Sequence, residues 1–434
     1  MNLLDHQQAF GAWDKTSNPM RASVKEWFQL YYGDAGEGAD PCQRVAYTIV
    51  NKLCRGVFAE YSATPDDPFA QAVLKGLDRV RQEAVQLALA GGECYLKPCP
   101  DGEKFSFSLI PRDRILIFGR DARGVPTDVG TAERSTRGRF TYTLLERRSV
   151  DEKGSLTIEN KLFRSLSPES LGQQVSLKSH PLYESLAEKY TYLKPVGSVG
   201  LVRMKTPMVN CVDGSADGVS VYAAAVGLIR NIDRNEQELT GEFDRGRSRV
   251  MVSKDLLDGD KGLTDDLFVG LDDDPERLGI SIFSPQLRHS SFLARKQEYL
   301  RNIETVIGLK RGLLSDANVD ERTATEIAAS QVEHNLAVMD FQQMWEKAAR
   351  ETVALCRVLA ALYGLDTGTE AQLHFDWGNG VLYDEEKTWA DYMAMVSAGL
   401  IAPEVALGWR FNMPAETEQQ RQAIRERFMP EKNG

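Results

Sequence analysis

The 434-residue chain lacks the short motifs that mark the commonest enzyme classes. It has no G-x-x-x-x-G-K-[ST] phosphate loop, no G-x-S-x-G nucleophile turn, no H-E-x-x-H and no dinucleotide fingerprint. The glycine-rich run Gly33–Gly38 has no strand before it and no lysine after it, so it reads as a loop. Cysteine is scarce. Of six, only Cys94 and Cys99 are close, and no histidine joins them at zinc-ligand spacing, so free thiols are expected. The five histidines are scattered along the chain. No catalytic residue, metal or cofactor is expected. Apolar runs near eighteen residues are absent, so no spanning helix and no membrane partner is expected. The opening MNLLDHQQAF has no basic stretch, and no signal peptide is expected there. Positive charge is also short. The formal net charge is −11, a poor balance for a protein that grips phosphates but compatible with one that DNA slides past.

What is present is strong periodicity. Apolar spacing predicts an aromatic helix ending at Gly33, a helix over 41–63 on Val45, Ile49, Leu53 and Val57, and another over 68–90 stopped by Gly91 and Gly92. The period then switches to two. ECYLKP, FSFSLIP, RILIF, FTYTLLER and SLTIENKLFR predict an antiparallel β subdomain over about 93–165, and 166–200 reads as connection. A helix is expected from Val219 to Gly246 on Tyr222, Ala225, Ile229, Ile232, Leu239 and Phe243, with Glu236 as the odd member. Beyond Gly364, LHFDW predicts a strand, followed by helices over 385–399, 403–409 and 415–428.

Residues 255–276 hold nine acids against one base, Lys261. Paired aspartates such as Asp272–Asp274 suit Mg²⁺-dependent phosphoryl chemistry when held rigidly. Among Gly259, Gly262, Gly270 and Pro275 a solvated acidic loop is the plainer expectation. Strands are expected on either side, at 250–252 and 280–283. A helix from Ser290 leads into the loop Leu313–Arg322, dense in Ser315, Asp316, Asn318 and Asp320. Thr323 and Glu326 then stand at capping-box spacing. No Gly or Pro follows until Gly364, which predicts one helix of about 60 Å. Val338, Phe341, Trp345, Ala348, Thr352, Leu355, Leu359 and Leu362 form its apolar stripe, which Thr352 interrupts. His334 falls on the same face and is expected to be packed.

Several strings resemble the portal (head–tail connector) proteins of tailed bacteriophages, in the family found in siphophages of Gram-positive hosts. They are KTPMVN before DGVSVY, AAVGLIRNID, EFDRGRSRVMV, ISIFSPQLR, and IGLKRGLLSD before TATEI. The resemblance covers roughly 30–430 and is most specific from Lys205 to Ile327.

It implies an α+β portal fold with a β-containing wing, a helical stem, a small α/β clip and a helical crown. Carried over by position, the wing is 1–215 and the long helix 323–364. The stem helices are 216–248 and 289–308, the clip 249–288, the tunnel loop 309–322 and the crown 365–434. The resemblance implies a homo-oligomeric ring, a dodecamer, at one capsid vertex, through which double-stranded DNA passes without sequence specificity. Its implied location is the virion, with host cytoplasm during assembly. Implied partners are the terminase large subunit, the head–tail adaptor, and the major capsid and scaffolding proteins. Leu314, Ser315, Asp316, Ala317, Asn318, Val319, Asp320 and Glu321 would face DNA. Asp265, Asp266, Asp272, Asp273, Asp274, Ile280, Ile282 and Phe283 would form the docking surface. The alternative is a metal-dependent nuclease of phage DNA processing built on Asp272–Asp274.

Overall fold

A computed structural model describes residues 3–33, 42–101, 104–246, 249–253, 268–271, 281–283, 286–316, 324–365, 367, 372–378, 385–411, 413–415 and 417–429. The chain is mixed helix and sheet and divides into two compact units. The larger takes Met1–Val57 and Pro65–Leu373, the smaller Phe58–Thr64 and His374–Gly434.

In the larger unit, α1 (Leu3–Phe10) was not anticipated, being short and weakly patterned. Helix α2 (Asn18–Tyr32) is capped by the Ser17 hydroxyl at 3.2 Å from Met20 N, and it ends at Gly33 as expected. Helix α3 spans Val45–Val57 and buries Val45, Ile49, Leu53 and Val57, but it is shorter than the predicted 41–63. Its apolar face is spent at Val57, and Phe58–Thr64 belong to the other unit. The predicted 68–90 helix is two helices, α4 (Pro68–Asp78) and α5 (Arg81–Gly91). At the break, Val80 N donates to Leu77 O at 3.0 Å instead of one residue further back. Beyond it α5 buries residues on nearly every side, from Ala84 to Gly91, so a single amphipathic stripe no longer describes it.

The strands form more than the one predicted subdomain. Strands β2 (Glu93–Asp101) and β3 (Lys104–Pro111) pair with β10 (Val202–Lys205) in the order β10-β2-β3. A second sheet runs β4 (Ile115–Arg120), β5 (Pro126–Arg137), β6 (Phe140–Val150), β7 (Leu156–Ser165), β8 (Gln173–Val175), with β9 (Lys189–Thr191) also on β7. Strand β5 escaped prediction because it reads PTDVGTAERSTR. Its place is set by backbone ladders to β4 and β6 on either side, and only Pro126, Val129 and Gly130 of it are buried. Strands β8 and β9 likewise lie in the stretch expected to be plain connection.

A buried charge network ties these parts together. Glu93, fully buried, pairs with Arg203, accepts the Tyr95 hydroxyl at 2.7 Å and the Gly218 amide at 2.5 Å, and lies 3.8 Å from Arg112 Nε. Asp217 pairs with Arg120, and Arg112 donates to the Thr16 hydroxyl at 2.8 Å. Burial alone would raise the Glu93 carboxyl. Arg203 and then Arg112 overcome it and hold the group at about 2.

Helix α8 (Ala324–Leu362) is the single 39-residue helix the pattern predicts. Val338, Phe341, Trp345, Ala348, Thr352, Leu355 and Leu359 are buried, while Leu362 is partly so. It packs on α3, α4, β2 and β10. Thr352 sits buried in the stripe with its hydroxyl satisfied, donating to Ala348 O at 2.7 Å. His334 is half-buried; burial and the nearby Lys310 both lower its pKa. The capping pair at Thr323 and Glu326 lies outside the described residues.

The smaller unit pairs β1 (Ser62–Pro65) with β14 (Leu373–Asp376), the strand expected at LHFDW. Tyr61 and Trp377 pack beside this ribbon with ring centroids 4.9 Å apart. Helices α9 (Glu385–Ser397), α10 (Pro403–Arg410) and α11 (Glu418–Phe428) follow near their predicted places. Trp409 stacks on Tyr392, Arg425 pairs with Glu404, and Thr417 with Gln420 makes a capping box at the start of α11.

Candidate functional site: a helical hairpin, its end sheet and its strap

The helix predicted from Val219 begins as a 3₁₀ turn at Ala223–Ala225 and continues as α6 (Val226–Arg245). The next helix, α7 (His289–Ile307), runs antiparallel to it: Glu242 lies opposite Arg288, and Asn235 opposite Phe292. Ile229 and Ile232 on α6 and Leu300, Ile303 and Ile307 on α7 are buried. The expected stripe fails in its last turns. Phe243 is 47% exposed, and Asn235 takes the buried position, donating to Phe292 O at 3.2 Å. Glu236, the odd member, reaches Lys296 at 3.5 Å.

Between the helices three short strands form a sheet in the order β12-β11-β13, from β11 (Arg249–Ser253), β12 (Phe268–Leu271) and β13 (Ser281–Phe283). Strand β11 runs parallel to β12 and antiparallel to β13, with Val250 opposite Ile282. The strands expected at 250–252 and 280–283 are present as β11 and β13, and within the chain they pair with each other. Strand β12 lies inside the stretch read as acidic loop. Its sequence, FVGL, lies in the longest apolar run there. Of the expected docking residues, Ile282 and Phe283 lie in β13. Asp265, Asp266, Asp272, Asp273, Asp274 and Ile280 lie outside the described residues. Where the chain enters α7, Arg288 grips Glu242 with both carboxylate oxygens engaged, Nη2 to Oε2 at 2.7 Å.

At its other end α7 stops at Gly308, which takes the left-handed φ of 74° that glycine tolerates best. Beyond it lies the predicted DNA-facing loop, of which Leu314, Ser315 and Asp316 are described; Ala317, Asn318, Val319, Asp320 and Glu321 lie outside the described residues. Ser315 is not turned outward. It is buried, and its hydroxyl donates to the Glu304 carboxylate at 2.8 Å. Glu304 and Gln297, which hold this stretch, were missed by the sequence reading. A signal existed: Glu304 shares its helix face with Leu300, Ile303 and Ile307, where a lone carboxylate demands donors.

Along the flank between α6 and α7, Arg234, Arg288 and Arg295 line a groove of about 400 Å³ with Asn231, Asn235 and Glu238. Leu293 and Val306 on α7, and Leu336 and Tyr363 on or just beyond α8, are each about half exposed. No cluster of metal-ligating side chains occurs among the described residues. Nor is any helix among them long and apolar enough to cross a membrane. No protein-family model matches the chain, and no curated protein matches it.

Proposed function

We propose that this chain is the subunit of a bacteriophage portal ring, a conduit for double-stranded DNA at one vertex of a capsid. The observation that carries the reading is the order of parts from 226 to 362. Two antiparallel helices are joined by a small sheet, and the second leads through an anchored turn into a 39-residue helix. The portal-like strings from AAVGLIRNID to TATEI fall on or beside these parts, while KTPMVN and DGVSVY precede them. In this reading α6 and α7 are the stem, the β11–β13 sheet belongs to the clip, and α8 is the beam of the wing. Half-exposed Leu293, Val306, Leu336 and Tyr363 suit burial by neighbouring subunits. A net charge of −11 suits a channel that does not hold phosphates. The terminase and the head–tail adaptor would dock on the clip, and the capsid and scaffolding proteins would surround the ring.

Negative-stain images of the purified protein test this. Closed rings with a central hole, formed by head-to-tail contacts, are the expected result. Particles of monomer or dimer mass, with no channel even when scaffold is co-expressed, would overturn it.

A further inference from the structure

After Gly308 the chain does not leave α7. Leu309 N donates back to Glu304 O at 2.8 Å, and the chain then runs back along the helix it has just finished. The Glu304 carboxylate, fully buried, takes four donors there. Its Oε1 accepts from Leu314 N at 2.5 Å and Ser315 N at 2.9 Å. Its Oε2 accepts from Gly312 N at 3.2 Å and the Ser315 hydroxyl at 2.8 Å. One residue further, Asp316 N donates to Gln297 Oε1 at 2.8 Å. Gln297 and Glu304 are seven residues apart, so they lie on one face of α7 about 10 Å from each other along its axis.

The two rungs are unequal. A buried carboxylate with both oxygens saturated is held by charge-assisted bonds, and loss of its charge weakens all four bonds and turns one of the two acceptor atoms into a donor. The outer rung is a single neutral bond at an exposed position. We propose that residues 309–316 form a two-rung strap, with Glu304 as the fixed anchor and Gln297 as the releasable one. Together they position the point from which the chain sets out toward α8. Both are positioning residues. The strap rests on its own geometry; only its consequence rests on the portal reading, in which it sets the depth in the channel at which the tunnel loop begins.

Residue-resolved amide hydrogen exchange on the full chain tests the strap without any phage component. In Gln297→Ala the Asp316 amide exchanges about tenfold faster, while Gly312, Leu314 and Ser315 keep their rates. In Glu304→Gln one acceptor oxygen becomes an NH₂ donor, so at least one of the Gly312, Leu314 and Ser315 amides exchanges at least about tenfold faster. Should Glu304→Gln fail to fold, Ser315→Ala serves in its place. It removes one donor and leaves a spare lone pair, so it leaves the Gly312 amide rate within about threefold of wild type. An Asp316 amide unmoved by Gln297→Ala overturns the proposal. So does a Glu304→Gln effect that spreads equally to the α8 core from Phe341 to Ala349. Rings with unmoved exchange would sink the strap alone; expected exchange without rings would sink the portal reading alone.

Discussion

Glu242 and Arg288 lie forty-six residues apart in the chain and face each other across the open end of the hairpin, with the Arg288 backbone amide also donating to Glu242 Oε1 at 2.8 Å. This clamp brings together the two points where the chain leaves α6 and enters α7, on either side of the β11–β13 sheet. Arg288 is largely exposed although Glu242 is mostly covered, so the contact fixes geometry more than it adds stability. Replacing Glu242 by Gln is expected to leave the melting temperature almost unchanged. Protease cleavage between 246 and 288 should become faster at low salt, with the difference shrinking at about 1 M salt. A cleavage rate identical to wild type at every salt concentration would remove the clamp from the account.

The Glu93 network makes a stronger demand. Glu93→Ala removes a carboxylate from the largely covered Arg203 and from the buried Arg112, which is left with Asp217 at 3.6 Å. Denaturant unfolding should show a loss of about 3–5 kcal/mol. A loss below about 1 kcal/mol would mean water or rearrangement replaces the carboxylate.

Acid should act in two stages. His6 is buried against Phe10 and Phe118, with Nε2 3.1 Å from Thr131 O, and burial lowers its pKa from 6.5 to about 4. The unfolded chain therefore binds the proton first. The His6 contribution is whole above pH 6.5 and is lost as pH falls toward 4, on the order of 3 kcal/mol in all. Glu93 and Glu146, both held at about 2, contribute above pH 4.5 and lose that contribution as pH falls further. Stability measured from pH 7 to 4.5 should fall in wild type and stay nearly flat in His6→Phe. Equal slopes would show that His6 is not the group titrating.

Gly92 provides a steric test. It holds a φ of 83°, and a Cβ there would collide with the Gly218 carbonyl, where the turn before α6 passes over the start of β2. Gly92→Ala combines backbone strain with displacement of the Glu93–Gly218 bond. It is expected to cost on the order of 3 kcal/mol in thermal unfolding, far more than Gly138→Ala, whose Cβ meets nothing. Similar melting temperatures for the two variants would refute the close approach.

In the long helix, Trp345→Ala opens a hole at a fully buried site and should cost about 3–5 kcal/mol. Thr352→Val keeps the volume and removes only a local hydroxyl bond, so its melting temperature should stay close to wild type. A large loss in Thr352→Val would show that the hydroxyl is needed elsewhere.

The sequence by itself determined the elements whose burial is one-sided and whose length is unbroken. Helix α8 was legible because forty-one residues without Gly or Pro carry one stripe, and a stripe is a local record of which face meets the core. The ends of α2 and α6, at Gly33 and Gly246, were legible for similar local reasons. Tertiary structure decided what neighbours impose. Strand β5 has almost no apolar pattern and exists because β4 and β6 offer its backbone hydrogen-bond partners on both edges. The split between α4 and α5 lies where burial changes from one face to nearly all round. The backward course of 309–316 depends on Glu304 and Gln297, side chains whose acceptors face the strap only once α7 is wound. Spacing along a sequence encodes one element's own face; it does not encode which distant amide will need that carboxylate.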